Sequence, residues 1–180
     1  MECVELTSGP TPGLAAVTTP ANDPVIVIAR SFAAPRTLIW RCYTEPAHLV
    51  HFWGPKGSTT PVCELDLRVG GPWRTVMRFG SGNEYGYTSA FLEIVEPERL
   101  LWRDAPDGYR FGDELPPATM LTELTLAETA GTTAISIIVR FTSLAERDAA
   151  VTQGFARTVL EGSDKLDVYL NILRDIAAHS

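Results

Sequence analysis

The sequence predicts an α+β domain in which a curved antiparallel sheet closes around one long C-terminal helix, with two short helices inserted after the first strand. Three observations carry that expectation. A β-branched run, Val25-Ile26-Val27-Ile28, precedes a helically spaced stretch that is broken at Pro46 and again at Gly54-Pro55. Six strand-like segments then follow at short intervals, joined by turn residues. From Val151 onward the apolar period changes from that of a strand to that of a helix.

The first strand is expected over Val25–Phe32, with Val25, Val27 and Ala29 on one face and Ile26, Ile28 and Arg30 on the other. Pro35 suits an early helix position, and Leu38, Ile39 and Cys42 recur at helical spacing, extended by Trp40 and Tyr43. Pro46 ends that helix and starts a second one, which stops before Gly54-Pro55. Strands are predicted over Thr60–Arg68, Pro72–Phe79, Tyr85–Val95 and Arg99–Asp104. Their links are Gly70-Gly71, Gly80-Ser81-Gly82-Asn83 and Glu96-Pro97-Glu98. Links this short make hairpins, so the arrangement is an antiparallel meander. After a polar loop, Ala105–Pro117, two more strands are expected over Thr119–Glu128 and Thr132–Phe141, joined at Ala130-Gly131. Ser143, with Glu146 three residues on, reads as a helix cap. Phe155, Val159, Leu166, Leu170 and Leu173 mark one face of the final helix, with Gly162 near its middle. A sheet bent around one helix leaves room between them, and a ligand would occupy that room.

Residues 1–23, rich in Pro, Gly, Ser and Thr with no sustained period, are expected to form a flexible or loosely docked tail, and 24–180 a single domain. A chain of 180 residues with 45% hydrophobic content can fill one sizeable core. Fifteen basic against twenty-two acidic residues give −7, which argues against a nucleic-acid partner, since phosphate binding needs clustered Lys and Arg. No apolar run is long enough to span a bilayer, so no membrane insertion is expected, and the N-terminus lacks the pattern of a secretory signal. Cys3, Cys42 and Cys63 are odd in number and widely spaced, which fits a reduced cytoplasmic setting better than a disulfide framework or a metal site.

Several motifs occur in a fixed order: Ala34-Pro35-Arg36-Thr37-Leu38-Ile39-Trp40; Thr44-Glu45-Pro46 with Phe52-Trp53-Gly54-Pro55; Asp66-Leu67-Arg68-Val69-Gly70-Gly71-Pro72-Trp73; Glu93-Ile94-Val95-Glu96-Pro97-Glu98-Arg99-Leu100; and the helical Glu161-Gly162. In this order they resemble the START-like (SRPBCC) superfamily, specifically its Hsp90-ATPase-activator-homologue (AHSA1-like) branch, over about Pro24 to Leu173. The resemblance implies a helix-grip fold with an internal apolar cavity. It also implies a spread of roles, from lipid or polyketide binding and cyclisation to self-resistance and co-chaperone domains, so the fold does not choose among them. Two positions depart from the family pattern: Ser163 stands where Trp often follows the Glu-Gly pair, and Phe52 where Trp is common. The loop Ala105–Pro117 is longer than the resemblance leads one to expect and is a candidate lid.

The candidate ligand-binding residues are Trp53, Trp73, Met77, Phe91, Trp102 and Phe155. On Pro72–Phe79, Trp73, Thr75, Met77 and Phe79 share one face, and Arg74, Val76 and Arg78 take the other. Ordinary core packing explains the same residues, and both roles are compatible at different depths. His48 and His51 lie three apart on the second helix, but no further ligand pattern supports a metal. Exposed or capping positions are the plain account for both. His51, beside Phe52, is the candidate general base at a pocket mouth, with Tyr87 as the second catalytic candidate. Glu64, Asp66 and Arg68 alternate on one strand face, opposite Arg74 and Arg78, as a solvated ion-pair ladder would require. Gly80-Ser81-Gly82-Asn83 lacks the strand-to-helix setting of a phosphate loop, so no nucleotide and no other cofactor is implied.

The expected function is binding of a hydrophobic or aromatic small molecule in a central cavity, without catalysis. The alternatives are a polyketide cyclase or hydrolase-like enzyme, and a co-chaperone that stimulates an Hsp90-type ATPase, although no second domain is seen to assist it. A homodimer is a further expectation, because open strand edges need cover.

Overall fold

The computed structural model describes residues 13–117 and 119–179. Eight strands form one antiparallel sheet: β1 (Ala15–Thr18), β2 (Val25–Phe32), β3 (Thr59–Leu65), β4 (Pro72–Arg78), β5 (Glu84–Val95), β6 (Arg99–Asp104), β7 (Leu121–Thr129) and β8 (Thr132–Arg140). Their spatial order is β1-β2-β8-β7-β6-β5-β4-β3. Six consecutive strands thus run as a meander, and β2 closes onto β8 at the far end. Among the described residues four helices accompany the sheet: α1 (Arg36–Thr44), α2 (Pro46–Leu49), α3 (Leu144–Thr152) and α4 (Phe155–Ala178).

The period-two pattern decides which face is buried. One row of cross-strand partners, Phe91↔Trp102↔Thr122↔Val139↔Ile26, crosses five strands on the concave side. Each of these side chains is buried. The neighbouring row, Leu100↔Leu124↔Ile137↔Ile28, is buried as well. Leu166 and Leu170 of α4 complete the core from above, with Phe155, Val159 and Leu173 packed more shallowly against it. The helix face expected from the sequence is therefore the face in use.

Most predicted elements stand within one to three residues of their expected ends, and the differences have local causes. The third strand stops at Leu65 rather than Arg68, because Asp66 N–H already donates to Pro72 C=O at 2.9 Å and closes the turn. The terminal helix does not run on from Val151. Gly154 adopts a left-handed conformation (φ 81°) and separates α3 from α4. Ser143 caps α3 as expected: its Oγ accepts from Glu146 N–H at 3.2 Å, and the Glu146 carboxylate accepts from Thr142 N–H at 3.0 Å.

Residues 1–12 of the expected tail lie outside the described residues. The rest of that segment is docked: β1 adds an edge to β2 through the register Ala15↔Arg30 to Thr18↔Val27. Arg147, buried on α3, donates from Nη1 to Pro20 C=O at 2.7 Å and to Asp23 C=O at 3.2 Å. The sequence signal missed β1 because its four residues are all exposed, so no buried face imposes an alternation.

The expected ion-pair ladder forms only in part. Glu64 faces Arg74 at 3.8 Å, but Arg78 turns to Glu84 at 2.7 Å, and Asp66 pairs with Arg68 at 2.8 Å. These pairs are solvated and contribute little to stability.

Candidate functional site

The corner Phe52-Trp53-Gly54-Pro55 carries the chain from α2 into the sheet and lies against the middle of α4. Gly54 is required twice over. Its φ of +89° is left-handed, and a Cβ there would meet Met77 Sδ and Ser58 Oγ at 2.8 Å. The Lys165 ammonium on α4 donates to the carbonyl oxygens of Trp53 and Gly54 at 3.4 Å, Pro55 at 3.5 Å and Ser58 at 3.4 Å. Thr60 Oγ1 donates to Trp53 C=O at 3.0 Å, and Glu161 accepts from Lys56 N–H at 3.1 Å. Burial lowers the pKa of Lys165 below its ordinary value.

Between α4 and the concave face lies a cavity of about 570 Å³. Trp53, Met77, Trp102 and Phe155 are on its wall, together with Phe79, Tyr85, Met120, Ile137 and Val139. Trp73 and Phe91 are fully buried behind that wall. Trp73 stacks on Phe91 (5.8 Å between centroids, 8° between planes) and supports the lining rings Trp53 at 4.8 Å and Trp102 at 5.2 Å. Of the six residues singled out in the sequence, four therefore face the open space and two hold it in shape. Ser163 also reaches the cavity, and its hydroxyl donates back to Val159 C=O at 3.0 Å. A small side chain at this position keeps the space beside α4 open.

The cavity wall also carries polar groups, among them Thr122, Gln153, Thr158 and Ser163, and one charged side chain, that of Asp104. Tyr87 donates to Asp104 Oδ1 at 2.6 Å, and both residues line the space. Burial raises the Asp104 carboxyl above its ordinary pKa, while the hydrogen bond from Tyr87 pulls it down. Burial also pushes the Tyr87 phenol well up, reinforced by the charge of Asp104, with Trp102 and Ser89 acting in the opposite sense. Beside the pair, on β4, Thr75 Oγ1 and Trp73 Nε1 are buried with no hydrogen-bond partner. Asp104 was not among the sequence candidates. The signal was available, because Asp104 lies two residues from Trp102 and so shares its face, and it pairs across strands with Ser89.

His51 is placed elsewhere. Its ring stacks on Tyr169 at 4.4 Å in an exposed depression on the outer side of α4, with Arg30, Lys56 and Asp164. His51 is not on the cavity wall, so the pocket-mouth position expected for a general base is not realised. His48 Nδ1 lies 2.8 Å from the Tyr169 hydroxyl, and Nε2 lies 3.4 Å from Glu45. The loop 105–117 does not cover the cavity either. Tyr109 donates to Gly70 C=O at 3.1 Å, and the Phe111 ring lies under the Arg68 guanidinium at 3.7 Å, so the loop packs on the Gly70-Gly71 turn. Among the described residues no group of three or more His, Cys, Asp or Glu could hold a metal ion, and no helix is long and apolar enough to cross a membrane.

A family model described as "Activator of Hsp90 ATPase homolog 1-like protein" matches residues 33–171, which takes in the corner, the cavity wall and most of α4. The chain belongs to this family. Solved structures agree with the membership. A protein from Nitrosomonas europaea is 26% identical, with a TM-score of 0.76 and coverage of 87% of this chain and 99% of its own. A protein from Mycobacterium smegmatis is 24% identical (TM-score 0.75; 87% and 97% covered) and shares the fold. So does a protein from Silicibacter pomeroyi named AHSA1, at 22% identity (TM-score 0.63; 82% and 98% covered). No curated protein matches the chain. The Activator of Hsp90 ATPase homolog 1-like architecture is the helix-grip fold, with the sheet curled around α4.

Proposed function

We propose that this member of the family binds an apolar, aromatic small molecule in the space between α4 and the sheet. The observation that carries the proposal is the cavity of about 570 Å³, walled by Trp53, Phe79, Tyr85, Trp102 and Phe155, with few polar groups among its aromatic and aliphatic lining. Such a volume suits a drug-sized ligand. Burying about 300 Å² of apolar ligand surface would gain roughly 7 kcal/mol, which exceeds the lower estimates of the cost of association. The buried Trp73 and Phe91 beneath the wall resist collapse, so the site is formed before the ligand arrives. A cyclase or hydrolase activity would have to draw on the Tyr87–Asp104 pair. A co-chaperone role rests on the family description alone.

The test uses N-phenyl-1-naphthylamine, a neutral aromatic probe whose emission rises in apolar surroundings. The parent protein is expected to bind it with saturation, and Ser163→Trp, which puts an indole into the cavity, is expected to abolish binding while keeping the native circular dichroism. Undiminished binding by a folded Ser163→Trp variant, or no binding by the parent, overturns the proposal. Native mass spectrometry of gently purified protein would then identify the class of any retained molecule.

A further inference from the structure

We propose that the ligand is an apolar molecule carrying a protonated amine, seated with its ammonium against the Asp104 carboxylate and its hydrocarbon among the aromatic rings. This rests on the cavity-binding reading above and adds the charge of the guest.

Among the described residues lining the cavity, Asp104 is the one with an acidic side chain, and none is Lys, Arg or His. The basic groups near the fold's waist are turned away or engaged. Lys165 is held by the carbonyls of the corner. Arg30 and Lys56 meet Asp164 at 3.1 Å on the outer side of α4. Arg103, next to Asp104 in the chain, takes the opposite face of β6, where Nε donates to Thr119 Oγ1 at 3.2 Å and Nη2 donates to Pro116 C=O. Asp104 thus has no cation of its own. Its single side-chain hydrogen bond comes from Tyr87 to Oδ1, and Oδ2 has no partner among the described residues. The carboxylate is accessible from the cavity; a ligand that displaces water there would leave its charge unpaired, and an ammonium on the ligand removes that cost.

The walls point the same way. Trp53, Phe79, Tyr85, Tyr87 and Trp102 present rings to the space, and ring faces attract an ammonium. An anionic amphiphile, such as a fatty acid, would set a second negative charge beside Asp104 with nothing basic in the cavity to neutralise it. The net charge of −7 also favours approach by cations over anions.

Three probes of one shape separate the possibilities: 2-(1-naphthyl)ethylamine, 2-(1-naphthyl)ethanol and 1-naphthylacetic acid, each titrated by calorimetry at neutral pH. The amine is expected to bind at least about tenfold more tightly than the alcohol, as a charge-assisted hydrogen bond provides, and the acid most weakly. Asp104→Asn should reduce amine affinity to about that of the alcohol while keeping the native circular dichroism, which reports that the variant is folded. Equal binding of all three probes by the parent, or an amine preference that survives Asp104→Asn, overturns the charge assignment while leaving the cavity intact. Failure of every probe to bind overturns the cavity reading itself.

Discussion

Gly162 of α4 lies directly against the backbone of Phe52: a Cβ added there would come within 3.1 Å of the Phe52 carbonyl oxygen and 3.3 Å of that of Gly54. The corner has little freedom to retreat, because Lys165 and Thr60 hold its carbonyls from two sides.

Substitutions at Gly162 should therefore follow side-chain size rather than helix propensity. For Gly162→Ala, a propensity gain of about 1 kcal/mol opposes the contact strain, and the net change should be small. Gly162→Val has no such compensation and is expected to cost about 2–4 kcal/mol, measured as a lower urea midpoint at unchanged slope. A stabilised valine variant would show that the corner yields.

Asp104 gives a pH signature. Burial raises its folded pKa above the ordinary 3.8. The protonated form is thus favoured by folding, and that contribution is full below pH 3.8 and fades as pH rises through the folded pKa. Asp104→Asn removes the titration, so the stability of the variant relative to the parent should climb through this window and then level off, as followed by denaturation from about pH 3 to pH 8. In Tyr87→Phe the hydrogen bond that lowers the carboxyl pKa is gone, and an NMR titration of the Asp104 carboxyl carbon should move further up. A downward shift would contradict the assignment.

The two described cysteines should be inert in the native protein. Burial pushes the thiol of Cys42 up to about 12 and that of Cys63 up to about 11, so almost no thiolate is present at neutral pH. Iodoacetamide at pH 8 should label both only after denaturant is added, as read by peptide mass mapping. Rapid native labelling of Cys42 would mean that α1 opens readily.

Removal of residues 1–23 should destabilise the protein. A chain beginning at Pro24 lacks β1 and leaves Arg147 Nη1 without the carbonyls of Pro20 and Asp23. The expected loss is about 2–4 kcal/mol, since a buried cation is left under-paired. Equal denaturation midpoints for the two chains would show that the segment is dispensable.

The sheet and its long helix were legible because each strand carries one buried face and each hairpin its own turn chemistry, as at Ala130 (φ 49°) and Gly131 (φ 75°). β1 was not legible, since an exposed edge of four residues is specified by its partner and not by its own pattern. The candidate site divides in the same way. Alternation placed Trp73 and Met77 on one face of their strand, but alternation carries no depth, so it did not separate the buried Trp73 from the open Met77. His51 looked suggestive because it adjoins Phe52, yet successive residues of a turn point in different directions, and only Phe52 turns inward.

The placement of β2 beside β8 bears on how the chain is made. Val25 pairs with Arg140 and Phe32 with Thr133, so the inner edge of β2 finds its partner only after nearly all of the sheet has been synthesised. During translation the meander from β3 to β8 can assemble hairpin by hairpin, while β2, paired on its outer edge with the four-residue β1, waits with its inner edge open. Closure of that seam, a long-range pairing, should therefore come late as this protein reaches its native state.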